Sequence, residues 1–110
     1  PEPAPADFVV RGGGGLGLRP EGYLCAAEDL VASGPDLAQL VHRWPGLTLP
    51  MAVLYGDRDA ILDWKVHGEG IVGQVAGAEL EVMDGRGHMP PVTAPEETAD
   101  FIRRLAARAS

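Results

Sequence analysis

The sequence predicts an α/β fold, in which strands and helices alternate along the chain. Three observations indicate it: a continuous apolar run at 51–55, an alternating segment at 79–83, and a segment of helical periodicity after each. An apolar run between Pro50 and Gly56 is typical of a strand buried on both faces of a parallel sheet. The order strand, helix, strand, helix with short connections therefore predicts a parallel pair joined by a right-handed crossover.

The part of the chain before the apolar run is expected to be small and helical. Residues 1–5 alternate Pro with Glu and Ala, a composition that favours an extended linker. Pro20 suits the first turn of a helix, and Ser33-Gly34-Pro35 is expected to end that helix. Asp36 is expected to cap a second, shorter helix.

Two helices and one strand are predicted after the apolar run. Residues 64–76 have helical character weakened by three glycines, each of which costs up to about 1 kcal/mol relative to Ala. The segment 79–83 alternates apolar and acidic residues, which predicts a strand with one wetter face. In the last helix, Thr93 and Glu96 form a capping-box pattern, and Pro95 is tolerated in the first turn. The predicted buried stripe of this helix comprises Phe101, Ile102, Leu105 and Ala109.

Composition argues against several classes of protein. A net charge of -7 and a pI near 4.7 argue against a nucleic-acid partner, which requires clustered Lys and Arg. No apolar run approaches the roughly 20 residues needed to cross a bilayer. Cys25 is the single cysteine, so no disulfide can form within the chain, and no signal-peptide pattern is present. These features predict a cytoplasmic protein.

Two loops carry the candidate catalytic residues. Gly56-Asp57-Arg58-Asp59 follows the apolar strand, and the loop 84–90, which contains His88, follows the second strand. Because the carboxyl ends of parallel strands meet at the same edge of a sheet, we expect Asp59 and His88 to meet. A carboxylate that accepts a hydrogen bond from one imidazole nitrogen leaves the other nitrogen as a base and stabilises the imidazolium. We therefore predict that Asp59 is the acid and His88 the base of a catalytic triad.

Over residues 47–107 the sequence resembles the α/β-hydrolase superfamily. The apolar strand with Gly56-Asp57-Arg58-Asp59 is similar to the family's strand and G-x-x-D motif, whose last residue is the triad acid. Gly87-His88-Met89-Pro90 is similar to its G-H-x-P histidine loop, and the acid precedes the histidine as in the family. The resemblance implies that 47–110 is the C-terminal part of the hydrolase core and that 1–46 contains the end of a helical cap. It also implies an incomplete domain, with most of the sheet outside this sequence.

The resemblance implies a hydrolase that acts on a small organic substrate, at an ester or related bond, without a cofactor. The family's nucleophile elbow, G-x-S-x-G, is missing, since the only serines are Ser33 and Ser110. Family order places the nucleophile before the cap, so we expect it upstream of Pro1 and expect this chain alone to be inactive. The alternative is a non-catalytic binding module or a truncated product. The bond cleaved, the type of nucleophile, the oxyanion-hole residues, the oligomeric state and the presence of a signal peptide upstream of Pro1 stay open.

Structural roles are the alternative for each acidic or histidine candidate. An Asp after a strand is commonly a turn or cap residue, which is the role expected for Asp57 and Asp63. Asp57 is the second choice for the triad acid. His42 and His67 are expected on helix surfaces, and His88 without its Gly and Pro neighbours would also be interpreted as a surface residue.

Two motifs suggest a bound cofactor or metal, but the residues around each of them are incompatible with such a site. Gly12-x-Gly14-x-x-Gly17 matches the dinucleotide-binding fingerprint, but Pro20 prevents a helix from running through it. Asp57-x-Asp59 begins like a calcium loop, yet apolar residues follow where a ligand and a glycine are needed, and Gly68 replaces the final glutamate. The sequence therefore predicts neither a cofactor nor a metal.

Overall fold

The computed structural model describes residues 3 and 5–109 of the chain. It is a mixed α/β structure, which confirms the predicted fold class. The chain divides into two compact units, with the boundary between Arg43 and Trp44. Most of the expected linker at 1–5 lies outside the described residues. The assignment of the two parts of the chain to a cap and a core stays a prediction.

The unit before Trp44 contains two helices, α1 (Phe8–Arg11) and α2 (Pro20–Val41), and neither helix has a buried residue. The expected break at Ser33-Gly34-Pro35 is wrong, because α2 continues through Pro35 as one helix. A proline inside a helix removes one backbone hydrogen bond. On an exposed helix, water can bind the carbonyl that is left without a donor, so the interruption is tolerated.

The unit that begins at Trp44 contains a short 3-10 turn, Trp44–Gly46, followed by the predicted alternation of strands and helices. Its elements are β1 (Ala52–Gly56), α3 (Trp64–Val72), β2 (Glu79–Met83), α4 (Pro90–Thr93) and α5 (Pro95–Arg108). Within the described residues the sheet has two strands, and they are parallel, as predicted. Ala52 pairs with Glu79 at one end of the register, and Gly56 pairs with Met83 at the other.

Helices α3 and α5 lie on opposite faces of this sheet. A Cβ on Gly68 of α3 would lie 2.8 Å from Leu80 Cδ1 and 3.3 Å from Tyr55 Cδ2, so α3 packs on the face that carries those side chains. Glu79 and Glu81, the neighbours of Leu80 along β2, point to the other face, because side chains alternate along a strand. Two ion pairs connect that other face to α5: Arg104 with Glu81, and Arg108 with Glu79.

Two elements of this unit differ from the sequence-based expectation. β1 is half-buried along 52–55 instead of buried on both faces, because one of its edges has no strand neighbour among the described residues. α3 ends at Val72 and not at 76, with Gly73 as its C-cap. The chain then turns so that Val75, only 1% exposed, packs inward.

The predicted capping box at the start of the last helix is wrong. Thr93 is the last residue of α4, and its hydroxyl donates to the Met89 carbonyl at 3.1 Å. Ala94 occupies the N-cap of α5, and no side chain caps that helix. The pair of prolines at 90–91 begins an extra helical turn just before α5, so Thr93 is already helical and unable to cap. Pro95 lies in the first turn of α5, as expected.

The buried stripe of α5 is narrower than predicted. Phe101 and Leu105 are half-buried, whereas Ile102 is 59% exposed and Ala109 lies beyond the end of the helix. Thr98 is buried and extends the stripe by one turn toward the N-terminus. The inward face of α5 therefore follows the spacing 98, 101 and 105.

Candidate active site

Asp59 and His88 are joined by a hydrogen bond beyond the carboxyl ends of the two strands. The distance from His88 Nδ1 to Asp59 Oδ2 is 2.8 Å. β1 ends at Gly56 and β2 ends at Met83, so the loops that carry the two residues leave the same edge of the parallel sheet. The contact that the sequence predicted is therefore present.

The Asp59 carboxylate is fixed by its own loop. Its Oδ1 accepts hydrogen bonds from the backbone N–H groups of Ile61, at 2.8 Å, and Leu62, at 3.0 Å. The side chain is only 3% exposed. A carboxylate that binds N–H groups two and three residues ahead has little rotamer freedom. Oδ2 is thus held toward His88.

The surroundings of Asp59 favour its ionised form. Burial acts to raise the pKa of this carboxyl, but hydrogen bonds from Leu62, His88 and Ile61 outweigh burial, and the pKa lies below its ordinary value. An ionised carboxylate can only accept hydrogen bonds, so the shared proton belongs to His88 Nδ1. In the neutral imidazole, Nε2 is then unprotonated and can act as a base.

The main chains of the two loops are in direct contact. A Cβ on Gly56 would stand 2.2 Å from the Arg86 carbonyl oxygen and 2.5 Å from the Gly87 carbonyl oxygen. The backbone N–H of Arg58 donates to the same Arg86 oxygen at 2.8 Å. This approach requires glycine at position 56, and it sets the separation of the two catalytic candidates.

A cavity of about 250 Å³ adjoins the pair. Its lining comprises Val53, Leu54, Tyr55, Gly56, Asp59, Leu62, Gly87, His88 and Pro90. Because consecutive residues of β1 border it, the cavity lies along the edge of β1 and not over one face. The His88 side chain is 37% exposed. The volume lies just below the range typical of small-molecule sites, roughly 300–1,000 Å³.

The other polar residues singled out by the sequence have structural positions. Asp63 caps α3 by accepting a hydrogen bond from the Lys65 N–H at 2.9 Å, as expected. Asp57 is exposed, and His88 bonds to Asp59 instead of Asp57. His42 and His67 are exposed, also as expected.

Some contacts of the two loops that carry the pair were not anticipated from the sequence. The hydrogen bonds from the Ile61 and Leu62 N–H groups to Asp59 could have been predicted, because an Asp commonly binds N–H groups two or three residues ahead. No sequence pattern predicts the ion pair between Arg86 and Glu97, at 3.1 Å, since its partners are 11 residues apart in different elements.

The residues considered for a cofactor or a metal do not have the structural surroundings that such a site requires. The glycines at 12–17 follow the helix α1, whereas the dinucleotide fingerprint follows a strand. In the described part of the chain, no three His, Cys, Asp or Glu side chains are grouped as metal ligands would be.

No protein-family model, curated protein sequence or solved structure matches this chain. Among residues 3 and 5–109, no helix combines the length and the apolar character that crossing a membrane requires.

Proposed function

We propose that this chain supplies the acid and the histidine of an α/β-hydrolase-type enzyme, with Asp59 as the acid and His88 as the general base. The substrate is a small organic molecule with an ester or related bond. The observation that carries the proposal is the 2.8 Å hydrogen bond from His88 to a carboxylate that two backbone N–H groups hold in place. This arrangement orients an imidazole and stabilises its charged form.

For an ester, His88 Nε2 removes the proton from the nucleophile as the nucleophile attacks the carbonyl carbon. Asp59 stabilises the imidazolium that results. The leaving alcohol takes that proton from Nε2, and an acyl-enzyme remains. A water molecule, deprotonated by the same nitrogen, then attacks the acyl group, and the nucleophile regains its proton as the acid product leaves.

The nucleophile is proposed to lie upstream of Pro1. A serine nucleophile of this family sits on a sharp turn between a strand and a helix. Ser33 lies inside the helix α2, and Ser110 has Arg108 where the G-x-S-x-G pattern has its first glycine, so neither fits that motif. The proposed hydrolase core therefore includes strands beyond these 110 residues.

The edge of β1 beside the cavity is the proposed junction with those strands. β1 is half-buried, and this edge has no strand neighbour among the described residues. A nucleophile at the carboxyl end of a strand added along this edge would arrive beside His88, because reactive groups gather at that end of a parallel sheet.

Hydrolysis of an activated ester, p-nitrophenyl acetate, by the 110-residue chain and by a longer polypeptide with the upstream segment tests the proposal. We expect the longer polypeptide to hydrolyse the ester, and we expect the chain alone to be no faster than an equal concentration of free imidazole, which attacks activated esters directly. Hydrolysis by the chain alone that requires His88 and exceeds the rate of free imidazole would contradict the upstream nucleophile. A longer polypeptide that binds small esters, epoxides and haloalkanes but converts none would instead be a binding module.

A further inference from the structure

Arg86 connects the loop that carries His88 to the two helices that follow it. Its Nη1 donates to the Thr93 carbonyl at 3.3 Å, and its Nη2 donates to Glu97 Oε1 at 3.1 Å. Thr93 is the last residue of α4, and Glu97 lies in the first turn of α5. One guanidinium therefore joins two separate elements.

The main chain of Arg86 also contacts the loop that carries Asp59. Its carbonyl oxygen accepts the Arg58 N–H at 2.8 Å and lies where a Cβ on Gly56 would stand. Arg86 is thus attached to the acid loop through its backbone and to α4 and α5 through its side chain. His88 is only two residues further along the chain.

We propose that Arg86 is a positioning residue that holds the loop so that His88 Nδ1 reaches Asp59; this inference rests on the proposed function of that pair. Arginine suits the role because its planar fork donates in two fixed directions, whereas the lysine ammonium is a point charge. The Arg86 side chain is 35% exposed and that of Glu97 is 54% exposed, so the ion pair itself contributes little to stability. The contribution of Arg86 is geometric.

The pKa of Asp59 reports on this geometry, because the hydrogen bond from His88 is one of the contacts that lower it. A ¹³C NMR titration of the Asp59 carboxyl in the 110-residue chain measures this pKa. We expect Arg86→Ala to raise the pKa of Asp59 toward the ordinary value, and Arg86→Lys to raise it as well. A lysine variant that restores the wild-type pKa would show that only the positive charge matters, which would overturn the proposal.

The variant Glu97→Ala separates positioning from charge. Removal of a negative charge would by itself lower the pKa of a neighbouring carboxyl, whereas release of Arg86 from α5 is expected to raise the pKa of Asp59. Glu97 is on an exposed part of the helix, so its substitution is compatible with folding even if Arg86→Ala is not. A lowered or unchanged pKa of Asp59 in Glu97→Ala overturns the proposal.

Arg103→Ala is the matched control. Arg103 pairs with Asp100 within α5 at 2.5 Å, and both side chains are largely exposed, so this variant loses an arginine–carboxylate pair that does not touch the histidine loop. We expect no change in the pKa of Asp59. A rise equal to that of Arg86→Ala would count against a specific role for Arg86. These titrations require no ester hydrolysis, so failure of the hydrolase proposal and failure of the positioning role are separate results.

Discussion

Gly56 lies against Arg86 so closely that no side chain fits between them: a Cβ at position 56 would stand 2.2 Å from the Arg86 carbonyl oxygen. Backbone atoms, unlike the end of a flexible side chain, cannot move aside without displacing their loop. Because the histidine loop includes Arg86, the packing of β1 and the position of His88 are coupled.

Gly56→Ala is therefore expected to destabilise the chain by about 1–3 kcal/mol, the usual cost of overpacking. Urea unfolding of the variant and of the wild type measures this difference. Gly46→Ala is the control, because no atom beyond its chain neighbours lies within 4 Å of a Cβ at position 46. A Gly56→Ala variant as stable as the wild type would mean that the two loops are not in this contact.

Two glycines of α3 provide a test of the packing between helix and sheet. Gly68 and Gly70 gain the same helix propensity on substitution by Ala, up to about 1 kcal/mol each. A Cβ at position 68 meets Leu80 at 2.8 Å, whereas no atom beyond the chain neighbours and the backbone of α3 lies within 4 Å of a Cβ at position 70. We expect Gly70→Ala to stabilise the chain and Gly68→Ala to be less stable than Gly70→Ala. Equal free energies of unfolding would show that α3 does not pack on β2 as described.

The stability of the chain is expected to depend on the ionisation of Asp59. Its folded pKa lies below the value of about 3.9 for an unfolded Asp, so between the two values the unfolded state binds more protons. The stabilisation is complete above the unfolded pKa and is lost as the pH falls through the folded pKa. Free energies of unfolding measured from neutral pH into acid should show this loss in the wild type and in Asp57→Asn. The same steep loss in Asp59→Asn would exclude Asp59 as its source.

The elements that the sequence predicted well are those whose local pattern specifies one local structure. β1 and β2 form as strands and Asp63 caps α3, although the expected burial of β1 on both faces is not found. The interruption at Ser33-Gly34-Pro35 did not end α2, because an exposed helix has water to solvate the carbonyl that a proline leaves unbonded. Thr93 did not cap α5, because two preceding prolines had already begun a helical turn. Both errors come from interpreting a local signal without its neighbours.

At the site, the contact of Asp59 with His88 was predictable because parallel strands bring their following loops to one edge. The ion pair of Arg86 with Glu97 was not, because it depends on how α5 packs and not on the spacing of the two residues. A second strand neighbour for β1 was expected because its apolar run lacks alternation, and within the described residues β1 pairs with β2 alone.

The most direct test of the central claim is the kcat/KM for ester hydrolysis by the longer polypeptide that carries the proposed nucleophile. Asp59→Asn and His88→Ala are each expected to lower kcat/KM by about 10⁴-fold or more, as the loss of a triad acid or base does. The matched controls Asp57→Asn and His67→Ala alter an exposed Asp and an exposed His of the same chain, and we expect them to retain wild-type kcat/KM. A loss of less than about tenfold in either Asp59→Asn or His88→Ala, or an equal loss in Asp57→Asn, would contradict the assignment of Asp59 and His88 as the catalytic pair.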